Sequence, residues 1–192
     1  MPSKYTKEPV FAFTASGQGL LRELVNEVVV SEAFDIKIRQ TPPPEKTKTY
    51  RAIWDTGATN TCITPKVVAD LNLFPSGKTT ISGVTSKEEV FTYFISLGLP
   101  NKAGFPTIRV VEAKNIQGAD VLIGMYGINM GDLAISNFNN QTVFSFRMPS
   151  IEKIDFAEQI KQIVSENSEK PISSRQERNR KKREKREKRK KS

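Results

Sequence analysis

The sequence predicts an all-β domain, a closed barrel or sandwich with one short internal helix, then a C-terminal helix and a basic tail. Three observations carry this. Short runs rich in β-branched and aromatic residues alternate with Gly, Pro, Asn and Ser clusters as far as residue 148. Inside that span only Pro65–Leu73 reads as a helix. Beyond it, apolar residues at 151, 154, 157, 160, 163 and 164 fall at helical spacing, and the chain then turns polar and basic.

Taken in order, residues 1 to 9 are polar and predict a loosely held end. Val10–Thr14 is strand-like, and Ser16-Gly17-Gln18-Gly19 is a turn. Leu20–Val30 has charges that suit a helix. The β-branched stretch Leu24–Val30 nevertheless favours a strand. Gln40–Lys46 is a loop, because three consecutive prolines fit neither a helix nor a central strand. Thr47–Ile53 is a strand running into Asp55, and Thr61–Thr64 leaves the turn. Thr64 as N-cap and Pro65 at the first position start the short helix. Thr79–Ile81 and Glu89–Ile95 flank a Ser/Gly/Thr-rich tip, as in a lid hairpin or an ordinary surface hairpin. Thr107–Ala113 and Asp120–Ile123 are further strands, and residues 124–132 hold a helical turn. Leu133–Ile135 and Thr142–Phe146 form a last hairpin around Asn137–Asn140. In the C-terminal helix, Asp155 and Glu158 read as a capping pair, and Pro171 limits it downstream. The expected organisation is residues 1–149 as the β domain, 150–170 as an amphipathic helix and 171–192 as a disordered basic tail.

Composition excludes whole classes of chemistry. The 192 residues contain no histidine and one cysteine, Cys62. Triads built on histidine, Cys–His pairs and histidine zinc sites are out. Acid–base work near neutral pH falls to carboxylates, lysine, tyrosine or a bound ion. No apolar run reaches the length of a membrane span and no N-terminal apolar stretch resembles a signal peptide. With a single thiol, these features point to a reducing, cytoplasmic setting. Of the 30 Lys+Arg and 21 Asp+Glu, residues 175–192 hold 12 and 3, which leaves 18 of each sign elsewhere. The body is therefore neutral, and the tail alone predicts weak, salt-sensitive contact with RNA or another polyanion. A solubilising tail without a partner fits the same charge. No aromatic side chains interleave the basic run, which argues against base stacking.

The candidate site is Ile53-Trp54-Asp55-Thr56-Gly57-Ala58-Thr59. An apolar strand ends abruptly in a carboxylate, a glycine permits positive φ or close backbone approach, and a small Ala58 leaves room beside the acid. A strand ending in Asp-x-Gly is also ordinary turn punctuation. This stretch resembles the active-site turn of the aspartic proteases, most of all the retroviral or retropepsin-like type. Asp120-Val121-Leu122-Ile123-Gly124 is similar to the segment that packs behind that turn in the family, and Ser82, Gly83, Val84 and Thr85 lie where its flap would be. The likeness spans roughly residues 20–148.

The resemblance implies a retropepsin-like fold, an aspartic endopeptidase and no cofactor or metal. Asp55 would be catalytic, with Thr56, Gly57 and Ala58 supporting the loop and Ile123 and Gly124 behind it. Thr56 would bond across a dimer. Ala58 stands where many pepsin-like relatives carry serine, which implies activity nearer neutral pH. Two carboxylates sharing a proton are needed to activate water, yet Asp120 and Asp132 are not second copies of the motif. The implied enzyme is a homodimer that contributes one Asp55 per subunit and acts on a protein or peptide. Trp54 is bulkier than the family's usual aliphatic residue, and Met125 stands where retroviral members often have arginine. A different class fits the same β body, a scaffold that holds peptide uncut while the tail holds a polyanion.

Overall fold

The computed structural model describes residues 9–38, 40–42, 44–82 and 87–169. Among them run, in chain order, β1 (Phe11–Ser16), β2 (Leu24–Glu32), β3 (Lys48–Trp54), β4 (Cys62–Ile63), α1 (Pro65–Asp70), β5 (Gly77–Ser82) and β6 (Lys87–Gly98). Then follow β7 (Gly104–Glu112), β8 (Val121–Ile123), α2 (Met125–Ile128), β9 (Asp132–Ser136), β10 (Val143–Met148) and α3 (Phe156–Glu169). The chain divides into two compact units, Met1–Ile151 and Glu152–Ser192.

The first unit is all-β, as the alternation of short strands and turns predicts. Its larger sheet has the order β2-β3-β8-β4-β7-β6-β5, and β6 also returns to β2. Six strands therefore close on themselves, which removes the free edges of the circuit. The long β6 makes closure possible. Its last residues pair with β2, Gly98 opposite Val29 and Ile95 opposite Glu32, while its first half pairs with β5. A bulge between Ile95 and Leu97 faces the Pro106 segment of β7. Proline has no N–H for the ladder, so a register shift is the natural accommodation.

A second, three-stranded antiparallel sheet has the order β1-β10-β9. Aromatic side chains join it to the barrel. Trp54 at the end of β3 packs against Phe146 with centroids 4.9 Å apart, Phe13 at 5.9 Å and Phe144 at 6.2 Å. All four are buried. Each such ring removes about 150–250 Å² from water, about 4–6 kcal/mol before entropy is counted. The unexpected bulk of Trp54 is therefore core material, and its indole N–H donates to Asn26 Oδ1 at 2.6 Å.

Several local expectations need correction. The internal helix ends at Asp70 rather than Leu73, and Asn72 at φ 49° turns the chain away. Thr64 occupies the N-cap with extended backbone, but its hydroxyl donates to Asp120 Oδ1 at 3.4 Å instead of capping the first turn. Lys66 and Lys48 reach Asp70 at 3.5 and 3.4 Å, and Tyr50 OH donates to Asp70 Oδ2 at 3.1 Å, so α1 is tied to the barrel by a polar network. The loop at 40–46 tightens into a 3-10 turn over Pro44–Lys46.

In the second unit α3 begins at Phe156, because Asp155 accepts the Glu158 N–H at 3.1 Å on its Oδ1 and the Gln159 N–H on its carbonyl. Ile151 and Ile154 fit the helical spacing yet precede the helix. Phe156, Ile160, Ile163 and Val164 are exposed. The basic tail from residue 171 lies outside the described residues. No helix among the described residues is long and apolar enough to cross a membrane.

Candidate active site

The Asp55 turn is built by three strands that are distant in sequence. β3 and β4 flank the turn but do not pair with each other. β8 lies between them, parallel to β3 and antiparallel to β4. The turn therefore crosses the C-terminal end of β8. The Asp55 N–H donates to Ile123 O at 3.0 Å, the last rung of the β3–β8 ladder. The chain after β8 continues the support: Met125 N–H donates to Ala58 O at 2.8 Å and Tyr126 N–H to Thr59 O at 3.0 Å. These are the first amides of α2, which lack partners inside the helix. The turn uses them instead.

Gly124 is required by space. Its φ of −88° is ordinary, but a Cβ there would lie 2.3 Å from Asn60 O and 2.8 Å from Ala58 O. The turn sits directly on the glycine backbone. This is the close approach that the sequence attributes to Gly57. Gly57 itself does not adopt positive φ, and a Cβ on it would come 3.1 Å from Asp55 Oδ1.

The carboxyl at the centre is half-buried, while Thr56 and Gly57 are exposed. The Gly57 N–H donates to Asp55 Oδ1 at 2.8 Å, and the Ala58 N–H donates to Asp55 O at 3.3 Å. The first bond orients the carboxyl along the turn. Cys62 follows on β4, and burial, with the negative charge of Asp55 added, pushes its thiol up to about 11. The thiol is thus protonated at neutral pH and supplies no nucleophile.

The structure brings Asp55, Thr56, Gly57, Ala58, Ile123 and Gly124 into one assembly. Ser82 closes β5, but Gly83, Val84 and Thr85 lie outside the described residues. Asp120 and Asp132 are occupied elsewhere: Lys66 lies 3.3 Å from Asp120, and Arg147 and Ser150 each donate to Asp132 at 2.6 Å. Among the described residues no three His, Cys, Asp or Glu side chains converge as a metal site would require.

Sequence reading missed Thr61. It is fully buried, and its Oγ1 accepts the Gly124 N–H at 3.3 Å, while its carbonyl accepts Val111 N–H at 3.0 Å. One hydroxyl thus links the outgoing limb of the turn to the strand beneath it. Strand alternation held the signal, since Thr61 shares an inward face with Ile63.

Comparison with known proteins follows this geometry. Residues 45–126 match the family described as aspartyl protease. Among solved structures the chain is similar to the EIAV protease complexed with the inhibitor HBY-793, at 16% identity and TM-score 0.39, covering 56% of this chain and 86% of that one. It is also similar to a retropepsin-like aspartic protease from Rickettsia conorii, at 11% identity and TM-score 0.45, covering 75% of this chain and 98% of that one. No curated protein sequence matches the chain.

Proposed function

We propose, from the match of residues 45–126 to the aspartyl protease family, that the chain is an aspartic endopeptidase working as a symmetric homodimer on protein or peptide substrates. The observation that carries the reading is the Asp55 carboxyl, held by the Gly57 N–H on a turn pinned from beneath at Ile123, Met125 and Tyr126. A turn so supported presents its acid at a fixed place.

One carboxyl per chain sets the stoichiometry. Two Asp55 side chains facing each other across a twofold cannot both ionise, so the pair holds one proton. The ionised partner takes a proton from water as the oxygen attacks the peptide carbonyl. The protonated partner gives its proton to the carbonyl oxygen, which forms a tetrahedral diol. Proton return to the nitrogen then breaks the C–N bond and releases acid and amine. In this reading Thr56 braces the two turns against each other, and the substrate binds extended, pairing its backbone with the edges of the cleft. A reducing, cytoplasmic setting suits the single thiol.

Incubating wild type and Asp55→Asn with a peptide library tests the proposal. Cleavage by wild type should fall at least about 1,000-fold in the variant with an unchanged thermal melt. Equal cleavage by both proteins would remove Asp55 from the chemistry.

A further inference from the structure

The peptidase reading gives the unit Glu152–Ser192 no task, yet its sequence and its helix are strongly patterned. Along α3, Phe156, Ile160, Ile163 and Val164 stand at positions i, i+4, i+7 and i+8. At about 100° per residue they share about 100° of the helix circumference, one continuous apolar stripe. Glu158 lies nearly opposite, and Lys161 and Glu166 lie on the flanks. The four stripe residues are 67, 60, 52 and 62% exposed, and none joins the hydrophobic core.

Downstream the sequence turns basic. Residues 175–192 hold 12 Lys+Arg and 3 Asp+Glu, with unbroken basic runs at Arg180–Arg183 and Lys188–Lys191. This stretch has no large apolar side chain. A polyanion such as RNA would take up the charge and leave the stripe on α3 bare. A second α3 would cover the stripe and leave the charge unanswered. Its 14 residues also fall short of the roughly three heptads that a coiled coil needs. The surface of an anionic bilayer accepts both features at once. Aromatic and aliphatic side chains enter the headgroup boundary, while lysine and arginine pair with lipid phosphates. Glu158 then faces water, away from the lipid.

We propose that α3 and the basic stretch 175–192 together hold the chain reversibly at the surface of a membrane containing anionic phospholipid, without crossing it. Each element is insufficient alone. Between Phe156 and Glu166 the helix carries one lysine and two glutamates, so it has no net attraction for anionic lipid. The basic stretch has charge but nothing to insert. Two weak signals joined in one chain give firm yet reversible anchoring. The anchor does not depend on Asp55. If the peptidase reading holds, it brings that activity to proteins lying at the bilayer.

Flotation of the full chain with vesicles tests the proposal. The vesicles are phosphatidylcholine alone, or phosphatidylcholine with about 30% phosphatidylserine. Wild type should partition at least about 10-fold more strongly onto the anionic vesicles. Ile160→Glu combined with Ile163→Glu should lower that partitioning at least about 10-fold, and so should deletion of residues 175–192. An unchanged thermal melt of the β body identifies both variants as folded. Asp55→Asn should bind vesicles as wild type does, so loss of the peptidase and loss of the anchor are read separately. Failure of wild type to bind, or equal binding to neutral and anionic vesicles, would overturn the proposal. Full binding by the Ile160/Ile163 variant would reduce the contact to charge alone and overturn it too. A single-stranded RNA that binds wild type and this variant alike, and strips wild type from vesicles, would reassign the unit to polyanions. A dimer that this variant dissolves in sedimentation, with vesicle binding intact, would reassign the stripe to a second copy.

Discussion

Adding one methyl group at residue 124 should cripple the site from below. In Gly124→Ala the new carbon would meet Asn60 O at 2.3 Å, Asn60 C at 2.7 Å and Ala58 O at 2.8 Å. All three are backbone atoms of the Asp55 turn, so no side chain can swing aside. Ordinary carbon–oxygen contact needs about 1 Å more than the shortest of these distances. The turn must lift, or β8 must sink. Lifting stretches the Met125–Ala58 and Tyr126–Thr59 hydrogen bonds, now 2.8 and 3.0 Å. Overpacking of this kind costs about 1–3 kcal/mol, and two weakened hydrogen bonds add about 1 kcal/mol. A loss of about 3 kcal/mol lowers Tm by about 6–12 °C in a chain of this size. Displacing the carboxyl by about 1 Å also lowers turnover about 100-fold even where the protein stays folded. Thermal denaturation and single-turnover cleavage below the melting range measure the two effects separately. A variant that keeps wild-type Tm and wild-type turnover would refute the claim that the turn rests on this glycine.

Thr61→Val keeps the shape of the side chain but leaves the buried Gly124 N–H without its acceptor, so it should lose about 1–2 kcal/mol in chemical denaturation, and Thr61→Ser should recover most of it. Burial alone pushes the Asp132 carboxyl up, but bonds from Ser150, Arg147 and the Ile151 N–H, with the Arg147 charge, hold it below the ordinary carboxylate range. A depressed folded pKa contributes stability that is present above about pH 4 and is lost as pH falls through the folded value. Tm measured across that acid range should therefore drop less steeply in Asp132→Asn than in wild type. Cys62, with its thiol pushed up to about 11, should resist iodoacetamide at pH 7 in the native state and react on unfolding, as mass spectrometry would report.

The Asp55 turn was legible because it is local: an apolar strand, an acid, a glycine and a small residue lie within a few positions. The strands flanking it were legible for the same reason, through β-branched runs and punctuating prolines and glycines. The wedge of β8 between β3 and β4 was not. It joins Ala52–Trp54 to Val121–Ile123, and no local pattern states which distant strand fills the gap. The place of Gly124 behind the turn was legible only through the family resemblance, and the backbone contact that demands a glycine there was not, since its dihedrals are ordinary and its neighbours come from another part of the chain. Apolar spacing placed the C-terminal helix too early, because Ile151 and Ile154 satisfy a period of 3.6 by position alone. The Asp155 cap decides where the helix begins.

The interposed β8 also dictates when the site can exist. About seventy residues separate Asp55 from Gly124, so the floor beneath the acid is laid late and by non-local contact. A nascent chain that has emerged only through β7 holds the Asp55 sequence without the ladder, the glycine seat or the α2 amides. Competence during synthesis is therefore deferred until nearly the whole β body has left the ribosome, and N-terminal fragments ending before residue 120 should be inert whatever their concentration.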